Sequence, residues 1–196
     1  MILLLNGTSS SGKSTLAKYL LKAFDEPFIF HSFDSLVPSL LPHPDSFQPM
    51  PDKQPRCYVR KLDKELYNKL NEQDLRIIEA CYRCIPVFAD SGFNIIVESV
   101  FWDEVLRFFT GLLSGYSDVY FIGVHCPPEE LERREGERKD RKKGNAVNQY
   151  FKLHVGKSYD IEVNTYGMSY DECADPIVSY VHNNKPFAFY TNRVDE

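Results

Sequence analysis

The feature that most constrains this chain is the run MILLLN-GTSSSGKST-LAKYLLKAF over residues 1–24. Apolar residues from Met1 to Leu5 lead into a glycine- and serine-rich stretch, and apolar residues resume at helical spacing at Leu16, Leu20, Leu21 and Phe24. A short, continuous apolar run suits a strand buried on both faces of a parallel sheet. The spacing that follows suits an amphipathic helix. The stretch between them is therefore a strand-to-helix turn rather than a flexible linker, because the helix pattern begins at once.

Gly7-x-x-x-x-Gly12-Lys13-Ser14 fits the phosphate-binding loop pattern. Glycines let backbone N–H groups face phosphate oxygens without a Cβ in the way. The helix that follows presents its positive N-terminal end. On this reading Gly7, Thr8, Ser9, Ser10, Ser11, Gly12, Lys13, Ser14 and Thr15 surround ATP. Lys13 reaches the β- and γ-phosphates, and the Ser14 hydroxyl binds Mg²⁺.

The remainder continues the alternation. FIFHSFDS, FNIIVES, DVYFIGVHC and YDIEVNT read as further strands. LDKELYNKLNEQDLRIIEACYRCIPVFADSG, WDEVLRFFTGLLSG, the stretch opening PPEELERR and SYDECADPIVSYVHN read as helices. A kink or break is expected around Pro86, with Gly92 as a stop. Ser169 with Glu172 has the spacing of a capping box, and Pro176 offers a second place for the last helix to begin. The predicted class is α/β: a P-loop NTPase three-layer fold, with a mainly parallel five-stranded sheet, helices on both faces and a helical lid. At 196 residues, one domain over 1–196 is expected. The lid covers about 132–150. An irregular insertion with six prolines runs over 38–55, where a binding flap or a disordered loop is expected.

Composition bounds the function. A net charge of −5 argues against a general nucleic-acid coat but leaves room for a small anionic ligand at a local basic site. No apolar run is long enough to span a bilayer, and the first residues lack the basic region of a signal peptide, so a cytoplasmic protein is expected. The five cysteines form no disulfide framework. Cys81-x-x-Cys84 lacks the second pair a zinc site needs and reads as two small buried residues on one helix face. His31, His43, His125, His154 and His182 show no metal-ligand spacing, with His31 and His125 read as satisfied strand residues. The base-reading Asn-Lys-x-Asp of GTPases is absent, since Asn184-Lys185 is followed by Pro186 and Phe187.

In a parallel sheet, ligands sit beyond the carboxyl ends of the strands. Asp34 and Glu98 both end strands there. Asp34 can take the proton of a substrate hydroxyl as general base, or it can cap the next turn with Ser35. Glu98 can hold Mg²⁺ through water, bind substrate or pair with a lysine. Residues 132–143 hold seven Lys/Arg and four Asp/Glu. Arg138 and Arg141 share a face if that segment is helical, and can clamp a transferring phosphoryl group. The alternative is a solvated helix with internal salt bridges.

LNGTSSSGKS, FHSFDSL, NIIVESVF, CPPEELERREGERKDRKKGNAVNQ and YDIEVNT, in this order, resemble the chloramphenicol phosphotransferase family of small P-loop kinases. Arg134-Glu135, Arg138, Asp140-Arg141 and Gln149 follow its lid spacing. The resemblance implies Asp34 as catalytic base, Lys13 and Ser14 at the ATP phosphates and Mg²⁺, and Arg138 and Arg141 as catalytic lid arginines. Arg134 is placed with the nucleotide-binding residues. The chain departs from the family at Glu98 and Ser99, where aspartates are usual, and over residues 38–70, which should shape the acceptor pocket. The expected activity is transfer of the γ-phosphoryl group of ATP to a hydroxyl of a small molecule. A nucleic-acid-end kinase and a nucleotide-binding regulator without an acceptor are the rival readings.

Overall fold

The structure, a computed structural model, describes residues 1–32, 72–138 and 144–192. Five strands form one parallel sheet: β1 (Ile2–Asn6), β2 (Phe28–Ser32), β3 (Asn94–Ser99), β4 (Val119–His125) and β5 (Ile161–Asn164). Their order across the sheet is β2-β3-β1-β4-β5. The described helices are α1 (Lys13–Ala23), α2 (Glu72–Asp90), α3 (Asp103–Leu112), α4 (Pro128–Gly136), α5 (Asn145–Leu153), α6 (Tyr170–Asn183) and the short α7 (Ala188–Thr191).

Apolar residues cover both faces of β1 because helices cover both faces of the sheet. Leu3, Leu5, Ile96, Ile122 and Val124 pack under α1 and α6. Ile2, Leu4, Ile95, Val97, Val119 and Phe121 pack on the other side, under α2, α3 and α7. Residues on successive strand positions therefore go to opposite layers, and continuous apolar runs replace the alternation of a half-exposed strand.

Local signals set most boundaries. Helix α2 ends in a Schellman motif: Gly92 takes φ 85° and its N–H bonds to the Ala89 carbonyl, while the Phe93 N–H bonds to the Phe88 carbonyl. At α6 the Ser169 hydroxyl accepts from the Glu172 N–H and the Glu172 carboxylate accepts from the Ser169 N–H, a complete capping box. That box starts the helix at Tyr170, so Pro176 lies inside it instead of opening it. Helix α2 likewise runs without a break through Pro86, held by the buried Cys81, Tyr82 and Ile85. Cys84 is exposed while Cys81 is buried, which corrects the expectation of two buried cysteines.

The order of strands places the switch point between β1 and β4, since α1 leads from β1 toward β2 while β4 leads on to β5. The loop after β1 lies over this point. No described helix is long and apolar enough to cross a membrane.

Candidate active site

Residues 7–12 leave the tip of β1 and cross directly against β4. A Cβ on Gly7 would lie 2.5 Å from the Val124 carbonyl oxygen and 2.6 Å from the Ser11 Oγ, so only glycine permits that approach. Ser10 has φ 63°, the single positive φ outside glycine among the described residues. Gly12 has φ 93° and stands at the N-cap of α1 with no side chain to cap it. The loop therefore turns through left-handed conformations into a helix start, the geometry that gathers backbone amides into an anion-binding concavity. The hydroxyl oxygens of Thr8, Ser10 and Ser11 are buried and have no hydrogen-bond partner among the described residues. Lys13 Nζ donates to the Gly7 and Thr8 carbonyls, at 2.7 Å each, and so arches over the start of the loop.

Side chains from the second half of the chain hold this loop. The buried Gln149, on α5, accepts the Ser9 N–H at 2.7 Å through its Oε1. Thr165, just after β5, donates its hydroxyl to the Ser11 carbonyl at 2.7 Å. Arg134, on α4, donates to the Thr165 hydroxyl at 3.0 Å and the Thr165 carbonyl at 2.9 Å. Its guanidinium lies close to Gly12, where a Cβ would approach Nη1 to 3.3 Å. Glu130 orients Arg134 from one turn earlier, and hydrogen bonds from Arg133 and Arg134 hold its carboxyl down to about 2. Arg134 thus lies beside the loop of residues 7–12. Arg133 instead bonds to Glu130 and Glu137 on the exposed side, which is the internal salt-bridge pattern.

Helix α4 ends at Gly136, a residue that favours termination, so Arg138 follows the helix. Arg141 lies at 139–143, outside the described residues. Helix α5 restarts at Asn145, and the buried Glu135 accepts the N–H groups of Gly144 and Ala146 at its beginning. A carboxylate there satisfies amides that Gly144 cannot cap and complements the helix dipole.

On the β2–β3 side, the Ser32 hydroxyl donates to Glu98 Oε1 at 2.6 Å. Glu98 is 93% buried, given its 7% exposure, and its Oε2 has no partner among the described residues. A buried carboxylate oxygen in that position fits a cation or its hydration shell. The Ser99 hydroxyl meets the Tyr82 hydroxyl at 3.0 Å on the opposite face. Asp34 and the proline-rich insertion at 38–55 lie outside the described residues. No group of three or more His, Cys, Asp or Glu suited to a metal occurs among the described residues. Mg²⁺ needs few protein ligands when phosphates and waters supply the rest.

Under the switch point, Asn6 bridges elements. Its Nδ2 donates to the Tyr159 hydroxyl at 2.7 Å and its Oδ1 accepts from the Phe101 N–H at 2.9 Å. The Tyr159 hydroxyl then meets His154 Nδ1 at 2.8 Å, and the His154 ring lies tilted against His125 with centroids 4.1 Å apart. Burial, with His125, Lys13 and Lys157 nearby, holds His154 down to about 3, so the ring is neutral. Burial pushes the Tyr159 phenol up.

The sequence reading assigned no role to Asn6, Thr165 or Tyr159, and gave Gln149 only a place in the lid spacing. Nothing in their spacing marks them, because each works across 140 or more residues or between layers.

The profile of the chloramphenicol phosphotransferase-like protein family matches residues 1–182. Two Mycobacterium tuberculosis proteins, each named "Putative O-phosphotransferase", from strains CDC 1551 / Oshkosh and ATCC 25618 / H37Rv, are 34% identical over 114 residues. That match covers 55% of this chain and 48% of each relative, so the chain spans about half the length of these curated relatives. The Deinococcus radiodurans tunicamycin resistance protein superposes with TM-score 0.59 at 15% identity, covering 95% of this chain and 98% of that one. The Mycobacterium tuberculosis APS kinase, solved with AMPPNP and APS, gives TM-score 0.57 at 17% identity, covering 93% and 97%. At such identities the likeness shows a shared fold. With the family profile spanning nearly the whole of it, the chain belongs to the chloramphenicol phosphotransferase-like family.

Proposed function

We propose that the protein is an ATP-dependent phosphotransferase that moves the γ-phosphoryl group to a hydroxyl of a small molecule. The observation that carries this reading is the loop over the β1–β4 switch point. It combines left-handed turns at Ser10 and Gly12, a helix N-terminus and the buried hydroxyls of Thr8, Ser10 and Ser11, which have no partner among the described residues. A polyphosphate supplies the acceptor oxygens that such donors require.

In this mechanism the loop amides and the Lys13 ammonium bind the β- and γ-phosphates. Lys13 leaves its carbonyl partners at Gly7 and Thr8 for the phosphates. Ser14 and Glu98 would hold Mg²⁺, which would supply positive charge to offset that of the phosphates. Arg134, fixed by Glu130 and Thr165, lies along the nucleotide. Asp34 accepts the proton of the attacking hydroxyl, and Arg138 and Arg141 stabilise charge on the transferring group. The reading places the protein in the cytoplasm, where ATP is supplied, and the free Cys81, Cys84, Cys126 and Cys173 accord with it.

The test is mass spectrometry of chloramphenicol and a pooled set of small hydroxyl compounds after incubation with the protein and MgATP. A phosphate-sized mass gain on any of them is the expected result. ATP hydrolysed at the same rate with and without every compound would refute it in favour of the regulator reading.

A further inference from the structure

Gln149 is a neutral side chain, 97% buried by its 3% exposure, and it is spent on one backbone amide of the loop. That amide belongs to Ser9, next to the left-handed Ser10. On the other side of Ser10, the Ser11 carbonyl is held by the Thr165 hydroxyl. The two bonds come from different elements, α5 and the turn after β5, and they bracket the one residue whose Cβ disfavours its own conformation. Within the loop itself, the backbone bond from the Ser11 N–H to the Thr8 carbonyl is long, at 3.3 Å. Lys13 holds the Gly7 and Thr8 carbonyls at the start of the loop, and around Ser10 the short bonds come from α5 and the turn after β5.

We propose that Gln149 is a positioning residue for the phosphate loop: by fixing the Ser9 peptide it holds Ser10 left-handed, and so keeps the neighbouring amides converging on a phosphate. This rests on the reading of residues 7–15 as the nucleotide site. The chemistry of Gln149 suits the task. Its carbonyl accepts as a carboxylate would, yet adds no negative charge beside a polyphosphate. An apolar residue of similar size would fill the space and leave the Ser9 amide buried without this acceptor.

The test is a double-mutant cycle between Gln149→Leu and Ser10→Gly, read as the MgATP dissociation constant by calorimetry. Gln149→Leu should weaken binding about tenfold, equivalent to about 1.4 kcal/mol. A glycine at position 10 adopts the left-handed turn without assistance, so Gln149→Leu should cost about threefold or less in the Ser10→Gly background. An equal loss in both backgrounds, or no loss in the first, would overturn the proposal. A simple packing defect would lower the melting temperature in both backgrounds without this coupling. Amide hydrogen exchange of Ser9 in the wild-type protein without nucleotide gives a second reading that needs neither a variant nor ATP. Slow exchange is expected, and exchange at the rate of an open loop would overturn the proposal. Failure of the wild-type protein to bind MgATP would count against the kinase reading, and Ser9 exchange would still decide the role of Gln149.

Discussion

Replacing Gly12 by alanine should damage the loop through two separable costs. The first is conformational: φ 93° is accessible to glycine but costs an L-residue about 1–2 kcal/mol or more. The second is collision. The new Cβ would lie 2.6 Å from the Tyr170 hydroxyl oxygen, 3.2 Å from Tyr170 Cε1 and 3.3 Å from Arg134 Nη1. Tyr170 cannot swing away freely, because its ring stacks on Tyr19 with centroids 5.5 Å apart. Overpacking of this kind costs about 1–3 kcal/mol. Together the two give roughly 2–5 kcal/mol, which would weaken MgATP binding about 30-fold or more if it falls on the nucleotide-binding geometry. The two costs separate with Tyr170→Phe. That change removes the oxygen at 2.6 Å and leaves both the φ penalty and the contact at 3.2 Å. The double variant should therefore recover about 1 kcal/mol of the loss, or roughly fivefold in affinity. Calorimetric MgATP titration and urea unfolding of the single and double variants provide the assay. Wild-type affinity and stability in Gly12→Ala would refute the reasoning outright. A loss untouched by Tyr170→Phe would refute the collision half of it.

Four further outcomes are expected. Asp160→Ala should cost about 3–5 kcal/mol in urea unfolding, because the buried carboxylate accepts from the Phe121, Phe187 and Ala188 amides and thereby joins β4, β5 and α7. The wild-type protein should lose stability as pH falls from 6.5 toward 5, since the folded state keeps His154 neutral while the unfolded chain protonates it; after allowing for partial exposure this is about 1 kcal/mol, and His154→Phe should flatten the profile between those pH values. Glu98→Gln should raise the Mg²⁺ concentration for half-maximal turnover about tenfold, with an unchanged requirement showing that this carboxylate stands apart from the metal. Asp34→Asn should bind MgATP normally and lose most phosphoryl transfer, measured as phosphorylated product, and unchanged turnover would remove Asp34 from the mechanism.

Local patterns carried much of this protein into view. The apolar runs named the strands, because a strand covered on both faces has no polar side to alternate with. Gly92 and the Ser169–Glu172 pair set helix ends through bonds made within six residues, which any chain with those residues can form. The prolines misled for the opposite reason. A proline raises the local cost of a helix, but α2 and α6 recover it by burying Tyr82 and Ile85, or Ala174 and Ile177, against the sheet. The lid arginines divided in the same way. Arg133 and Arg134 are adjacent in the chain, yet the fold turned one toward Glu137 in solvent and the other toward Thr165 at the loop.

The sequence by itself determined the strand-to-helix loop and the phosphate-binding pattern it carries, because Gly7, Gly12, Lys13 and Ser14 fall within a single turn whose geometry the backbone dictates. Tertiary structure alone decided what holds that turn in shape. Gln149 reaches Ser9 from 140 residues away and Thr165 reaches Ser11 from 154, contacts that exist only once β4 and β5 have joined the sheet beside β1 and brought α5 and the final turn against the loop. Such pairs leave no periodicity in the chain. Each is a single hydrogen bond set by strand order, and strand order is a property of the packed sheet.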